Sequence, residues 1–174
     1  MVIDSLMRDN ARLMAGNIMD QKVDSCVIDI QDHPAKWLLR RHLISEAVES
    51  NLNIYNQKSE HPRLPTLEAQ ILHISVRFEN IPEDGGRVKR IISLITTGTI
   101  VFPDRNYALP AYNHGHIDTL ARERAAEAND AAYDFAKGSV PDAPETFWDT
   151  YLVPVIVVGS AAATVLLLFT VRSK

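Results

Sequence analysis

Much of what would name a chemistry is missing from these 174 residues. One cysteine, Cys26, cannot close an internal disulfide and says nothing about redox compartment. Inside SCVIDI it reads as a buried small hydrophobe. There is no CxxC, HExxH, GxSxG, GxGxxG or phosphate loop, so no zinc, acyl-transfer, dinucleotide or nucleotide signature stands in the chain. Lys and Arg number 18 against 22 Asp and Glu, a net charge of -4. Arg87, Lys89 and Arg90 form one small basic group, and Lys36, Arg40 and Arg41 another. Neither makes the basic face that a phosphate backbone needs, so no nucleic-acid partner is expected. Internal repeats and low-complexity blocks are absent as well.

Of the six histidines, only His114 and His116 in NHGHID stand close together, with Asp118 just after them. Zinc takes three or four ligands, usually from two separated places. Two histidines and an aspartate in one stretch read as a solvated loop, and no metal or other cofactor is assigned. An enzyme or metal protein built on this loop would have to carry metal on purification. His42 and His73 read as surface residues rather than bases. No nucleophile, base and orienting group assemble from the chain, so no enzyme is expected.

Charge is also missing from Tyr151 to Val171. A helix there rises about 32 Å, against a hydrocarbon core roughly 30 Å thick. Phe147, Trp148 and Tyr151 border it as an interfacial belt, and Arg172 and Lys174 follow where they can snorkel. Pro154 falls in the expected first turn, where a missing N–H costs little. The segment is expected to be a transmembrane helix in contact with the lipid bilayer. Gly159 and Ala163, beside Ser160 and Thr164, make a small-xxx-small stripe for pairing with another helix.

The rest of the chain has the makings of a core. Asp4–Ser5 is a candidate cap for a helix to Asp20, with Leu6, Leu13, Met14 and Ile18 as its stripe. SCVIDI is a nearly continuous apolar strand of the kind covered on both faces. DHPAKWLLRRHLISEAVES follows as a helix capped by Asp32, with Pro34 near the first turn. It buries Trp37, Leu38, Ile44, Ala47 and Val48 while Lys36, Arg40 and Glu46 stay wet. NLNIY is a short strand, then QKSEHPRLP a loop. In LEAQILHISVRFENI, Leu72, Ile74, Val76 and Phe78 alternate with His73, Ser75, Arg77 and Glu79, giving one wet face. A turn through PEDGG leads into the β run RVKRIISLITTGTIVF, where Gly98 marks a bulge or a close backbone approach. Further on, an alanine-rich helix is expected from Asp118 to Lys137, with Gly138 as its C′ residue. SVPDAPET (139–146) is then a stiff linker.

The fold class is α+β with an α/β-like start: helix, strand, helix, strand and a long antiparallel hairpin, plus a C-terminal transmembrane helix. The domains are an α/β soluble domain over 1–112, a loop, helix and linker over 113–146, and the anchor over 147–174. With VIDIQDHPAKWLLRRHLISEAVESNLNIY at its heart, this order resembles small envelope domains. They are those of the curli secretion lipoprotein and the penicillin-binding-protein activators, which bind partner proteins rather than turn over substrate. The likeness covers roughly residues 1–105 as a pattern and carries over no functional residue. It departs from those lipoproteins in having no lipobox cysteine near the start. The ending LLLFTVRSK resembles uncharacterised single-pass bacterial membrane proteins.

Two rules set the orientation against each other. Lys137 precedes the helix while Arg172 and Lys174 follow it, which places the C-terminus in the cytoplasm and the body in the periplasm. The opening MVIDSLMRDN carries charges and no apolar core of a signal peptide, which favours a tail-anchored protein with a cytoplasmic body. The function expected is a non-enzymatic, single-pass anchored domain. It would dock other membrane or envelope proteins, or serve as an accessory subunit of a membrane complex. The alternative is a cytoplasm-facing subunit of an energy-conserving or transport complex. The wet hairpin face and an open sheet edge are the candidate contacts.

Overall fold

Helix and strand alternate through the first half of the chain in the order the apolar spacing dictates. The computed structural model describes residues 2–82, 84–130, 133–143 and 147–171. The order is α1 (Val2–Asp20), β1 (Ser25–Ile30), α2 (Lys36–Glu49), β2 (Asn53–Tyr55), β3 (Thr66–Ile81) and β4 (Asp84–Val101). Then come β5 (Asn106–Ala108), β6 (Tyr112–Ala121), α3 (Arg122–Asp130), a 3-10 turn at Asp134–Ala136 and α4 (Phe147–Val171). Two compact units result, Met1–Pro141 and Asp142–Lys174. The class is mixed α+β, with a six-stranded sheet and a C-terminal apolar helix.

The sheet runs β2-β1-β3-β4-β5, with β6 also paired to β4. β1 is parallel to both β2 and β3, while the β3–β4 hairpin and the β4–β5 and β4–β6 pairs are antiparallel. β5 and β6 share one side of β4, pairing with Thr99–Val101 and Arg87–Thr96 respectively. On the helix side, α1 sets Ile3, Leu6, Met7, Met14 and Ile18 against Ile92, Leu94 and Ile100 of β4 and Cys26, Ile28 and Ile30 of β1. Each fully buried large side chain of this kind contributes about 1.5–3 kcal/mol relative to exposure.

The hairpin shows how one residue resets an alternation. Leu67, Ala69 and Ile71 are buried, and the register then shifts between Ile71 and His73. That bulge adds a residue and flips the phase, so Ile74, Val76 and Phe78 return to the core side while Leu72 is left 51% exposed. The expected apolar row therefore holds for its last three members and fails at Leu72. Gly98 stands where a Cβ would come within 2.9 Å of the Glu68 carbonyl oxygen, the close approach expected of it.

The helices are turned relative to the expected stripes. Leu13 of α1 is exposed, as are Trp37, Ile44 and Val48 of α2. Instead Leu38, Leu39, His42, Leu43, Glu46 and Ala47 face inward. Polar partners explain the rotation. α1 lies alongside and offers Asp4, bonded to Arg41 and 3.2 Å from His42, and Arg12, whose Nε donates to Glu46 at 3.1 Å. His42 and Glu46, expected on the surface, are thus buried and paired. Asp4 sits inside the first turn of α1 rather than at its cap. The α2 cap is Ala35, not Asp32, and its N–H donates to His33 Nδ1 at 3.0 Å.

The largest departure follows residue 112. Residues 113–121, expected as a loop and a helix start, form β6, because every second side chain finds a partner on the helix side of the sheet. Asp118 caps nothing; it pairs with Arg90. The alanine-rich helix shrinks to α3, in which Ala125 is fully buried, against Phe78 and Val88. Gly138 does not adopt the left-handed conformation of a helix C′ residue. It lies so close to β3 that a Cβ would land on the Val76 carbonyl oxygen, 3.0 Å from its carbon and 3.3 Å from Phe78 Cδ2. The residues after it continue along the sheet rather than leaving as a linker. Val140 packs with Phe78 and Val88, and the Pro141 carbonyl accepts from Arg122 Nη1. Of the expected linker, 144–146 lie outside the described residues.

This close approach makes a direct test. Gly138→Ala is expected to cost about 1–3 kcal/mol, because the clash is with backbone that cannot swing aside. A neighbouring Ser139→Ala should stay within about 0.5 kcal/mol. Chemical denaturation of the two variants checks it.

Candidate functional site

The helices cover one face of the sheet; the side chains that alternate with the core point to the other. Along β3 these are His73, Ser75, Arg77 and Glu79, the residues expected as a wet face. They lie opposite Ile95, Ser93, Ile91 and Lys89 of β4, which in turn lie opposite Asn113, Gly115, Ile117 and Thr119 of β6. Cross-strand neighbours sit about 4.5–5.5 Å apart, so the three strands present ordered rows. His73 Nε2 lies 2.9 Å from Ser75 Oγ. Glu79 pairs with Arg77 at 3.3 Å and with Lys89 at 3.9 Å. His73, Ser75, Arg77, Ile91 and Ser93 line a shallow depression. The face mixes charge, hydroxyl and branched apolar groups.

Nearer β1 the same face holds a second, more polar depression lined by Asp29, Gln31, Glu68, Gln70, Thr97 and Thr99. Asp29 and Glu68 are register partners on the parallel strands β1 and β3.

The His114, His116 and Asp118 row points the other way, beneath α1 and α3. Strand spacing places all three on one face, yet each has its own partner. His114 Nδ1 meets Asn10 Oδ1, His116 Nε2 lies 3.4 Å from Asp118 Oδ2, and Arg90 donates to Asp118 at 2.9 Å. Among the described residues, no three His, Cys, Asp or Glu side chains converge as metal ligands would. At the His114 end stands Asn10, fully buried in α1, whose Nδ2 also donates to Thr96 Oγ1 at 2.9 Å and lies 3.5 Å from the Tyr112 carbonyl. It was missed at the sequence level although the signal existed. Leu6, Asn10 and Met14 recur every four residues, so Asn10 stands in the middle of an apolar stripe.

α4 runs through Phe147–Val171, with Thr150–Thr170 long and apolar enough to cross a membrane at mean hydropathy 2.5. None of that stretch is buried within the chain. The helix starts earlier than expected, so Pro154 sits inside it rather than in its first turn. A proline cannot donate to the carbonyl four residues before it, a feature that membrane helices tolerate better than soluble ones. Three hydroxyls turn back on the helix: Ser160 Oγ donates to the Val157 carbonyl at 2.9 Å, Thr164 Oγ1 to the Ser160 carbonyl and Thr170 Oγ1 to the Leu166 carbonyl, both at 2.8 Å. Gly159 has open space where a Cβ would stand. Arg172 and Lys174 lie outside the described residues, and the belt side chains of Phe147 and Trp148 are not described.

No known protein family matches the chain, and no curated protein does. Among solved structures it is similar to a crystal structure of a minor lipoprotein from Acinetobacter baumannii. The two share 9% identity and a TM-score of 0.40, over 62% of this chain and 77% of that one. A likeness of that order says nothing about function.

Hydrogen bonding from Arg90, against the opposing effect of burial, holds the Asp118 carboxyl below its ordinary 3.8. Burial pushes Asp4 up, but the hydrogen bond from His42 and the charges of His42 and Arg41 outweigh it and leave Asp4 lowered. Both groups are tied into ion pairs. Burial pushes the Cys26 thiol up to about 11, so at neutral pH it is a protonated core group rather than a nucleophile. Burial likewise pushes Tyr112 up to about 12, with Tyr107 a lesser cause.

Proposed function

We propose that this protein is a non-enzymatic, single-pass membrane-anchored interaction module of the bacterial envelope. α4 is the anchor, and the uncovered face of the sheet receives a partner protein. The observation that carries the reading is α4: Thr150–Thr170 has a mean hydropathy of 2.5 and lies unburied, and Ser160, Thr164 and Thr170 turn their hydroxyls back onto the helix. Exposing such a surface to water is unfavourable over its whole length, whereas hydrocarbon asks only that backbone and hydroxyl groups be satisfied internally.

The docking surface is the row His73, Ser75, Arg77 and Glu79 with its register partners on β4. Gly159 and Ala163 are the point where a partner's helix comes close in the membrane. The orientation that fits the flanking charges puts the C-terminus, with Arg172 and Lys174, in the cytoplasm and the body in the periplasm.

A second reading is the tail-anchored form, with α4 as the anchor and a cytoplasmic body. Protease added to intact spheroplasts separates the two: digestion of the body supports the periplasmic placement, and full protection contradicts it.

Extraction of the full chain in mild detergent, with identification of what accompanies it, tests the interaction role. A stoichiometric partner is expected, lost with Arg77→Glu and retained with Glu60→Lys on the exposed loop before β3. A chain that always purifies alone contradicts the role.

A further inference from the structure

The sheet has two long outer edges, and they are treated differently. The β3 edge beyond Ala69, where β1 stops, has the 136–141 segment beside it, with Gly138 against the Val76 carbonyl. Among the described residues, β6 has no such cover. Across Tyr112–Ala121 its ladder is entirely to β4, and among the described residues its outer side makes no backbone hydrogen bond. Ten residues is long for an unguarded edge, and YNHGHIDTLA contains neither the proline nor the lysine that commonly blunts one. Ile117, at its centre, is 62% exposed.

The sequence of this edge is complementary to itself. In an antiparallel pair of two β6 strands with the two-fold axis at Ile117, that isoleucine lies opposite Ile117 of the second copy. His116 then lies opposite Asp118 of the second copy, and the same pair recurs across the axis. Gly115 lies opposite Thr119 of the second copy, which leaves room beside the paired isoleucines. One register thus covers the exposed apolar side chain and sets a histidine ring opposite a carboxylate twice, each pair close enough to interact. Shifting the pairing by one residue loses the isoleucine pair, because successive side chains point to opposite faces. A two-fold pair of this kind closes on itself instead of growing into a fibre.

We infer that the outer edge of β6 is a self-association edge, and that two copies of this chain join through it into one continuous sheet centred on Ile117. The pairing leaves the His73–Glu79 face free for another protein. It does not depend on the membrane reading, since it is made by the first unit alone.

The test uses the full chain in detergent micelles. Sedimentation should show a monomer–dimer equilibrium, and Ile117→Lys should move its midpoint at least tenfold toward higher concentration. Because Ile117 is exposed in the single chain, the lysine is tolerated there, and an unchanged circular dichroism spectrum confirms it. With a short bismaleimide, Ile117→Cys should cross-link into dimers, while Glu60→Cys on the exposed loop should not; buried Cys26 stays silent. A chain that is monomeric at every concentration overturns the inference. So does a dimer that survives Ile117→Lys while Ile117→Cys links no better than Glu60→Cys, since its contact then lies elsewhere, α4 included.

Discussion

Asn10→Leu is expected to cost about 3 kcal/mol and to lower the melting temperature of the soluble unit by roughly 10 °C. Leucine is similar in size to asparagine and suits a helix, so propensity and volume barely change. What changes is the pairing beneath α1. The Thr96 hydroxyl, the Tyr112 carbonyl and one nitrogen of His114 all meet Asn10, and Asn10 and Thr96 are fully buried. Each buried polar group left without a partner costs about 1–3 kcal/mol. Asn17→Leu, at a half-buried position of the same helix where the amide donates to the Leu13 carbonyl at 2.9 Å, is the control and should be nearly neutral. A loss at Asn10 no larger than at Asn17 would mean that water replaces the amide.

Asp118→Asn has the second large effect, with a pH signature of its own. Arg90 donates to Asp118 through two nitrogens, and the Arg90 side chain is 17% exposed. Removing the carboxylate leaves a largely buried guanidinium short of its counter-charge, at a cost of about 2–3 kcal/mol near neutrality. Asp118 has a folded-state pKa below its ordinary 3.8, so folding favours the ionised form. That contribution is fully present above pH 3.8 and is lost as pH falls through the lower folded value. The wild type should therefore lose stability progressively below about pH 4, with Asp4 adding to the loss in the same direction. In Asp118→Asn the acid slope should be shallower while the neutral plateau is lower. Urea denaturation from pH 3 to 7 on both proteins reads this directly, and parallel slopes would deny Asp118 its part.

Elements whose apolar spacing is local were legible in the sequence: α1, β1, α2, β2 and the long hairpin follow from their runs and turns. Faces were less legible, because they depend on partners far along the chain. α2 turns His42 and Glu46 inward only because Asp4 and Arg12 of α1 meet them, and nothing in KWLLRRHLISEAVE says so. The bulge after Ile71 is a one-residue event whose cause is the pairing with β4, so Leu72 was placed in the core with its neighbours. The β6 error has the same origin. NHGHID looks loop-like by composition, and its alternation gains meaning once Asn10 and Arg90 stand opposite. Of the candidate surface, the row His73, Ser75, Arg77 and Glu79 was readable from a period of two alone. Its apolar companions Ile91 and Ile117 were not, since register decides which strand faces share a side.

Membrane anchoring by α4 is the claim on which the functional reading depends, and carbonate extraction tests it most directly. Membranes from cells making the full chain are washed at alkaline pH, beside a variant carrying Val157→Arg and Leu166→Arg in the middle of the helix. Each arginine near the bilayer centre adds about 2.5–3.5 kcal/mol to the cost of insertion. The wild type is expected to stay wholly in the pellet and the double variant to move to the supernatant with its soluble unit still folded. A wild-type chain released by carbonate, or a double variant that pellets equally well, would contradict the account.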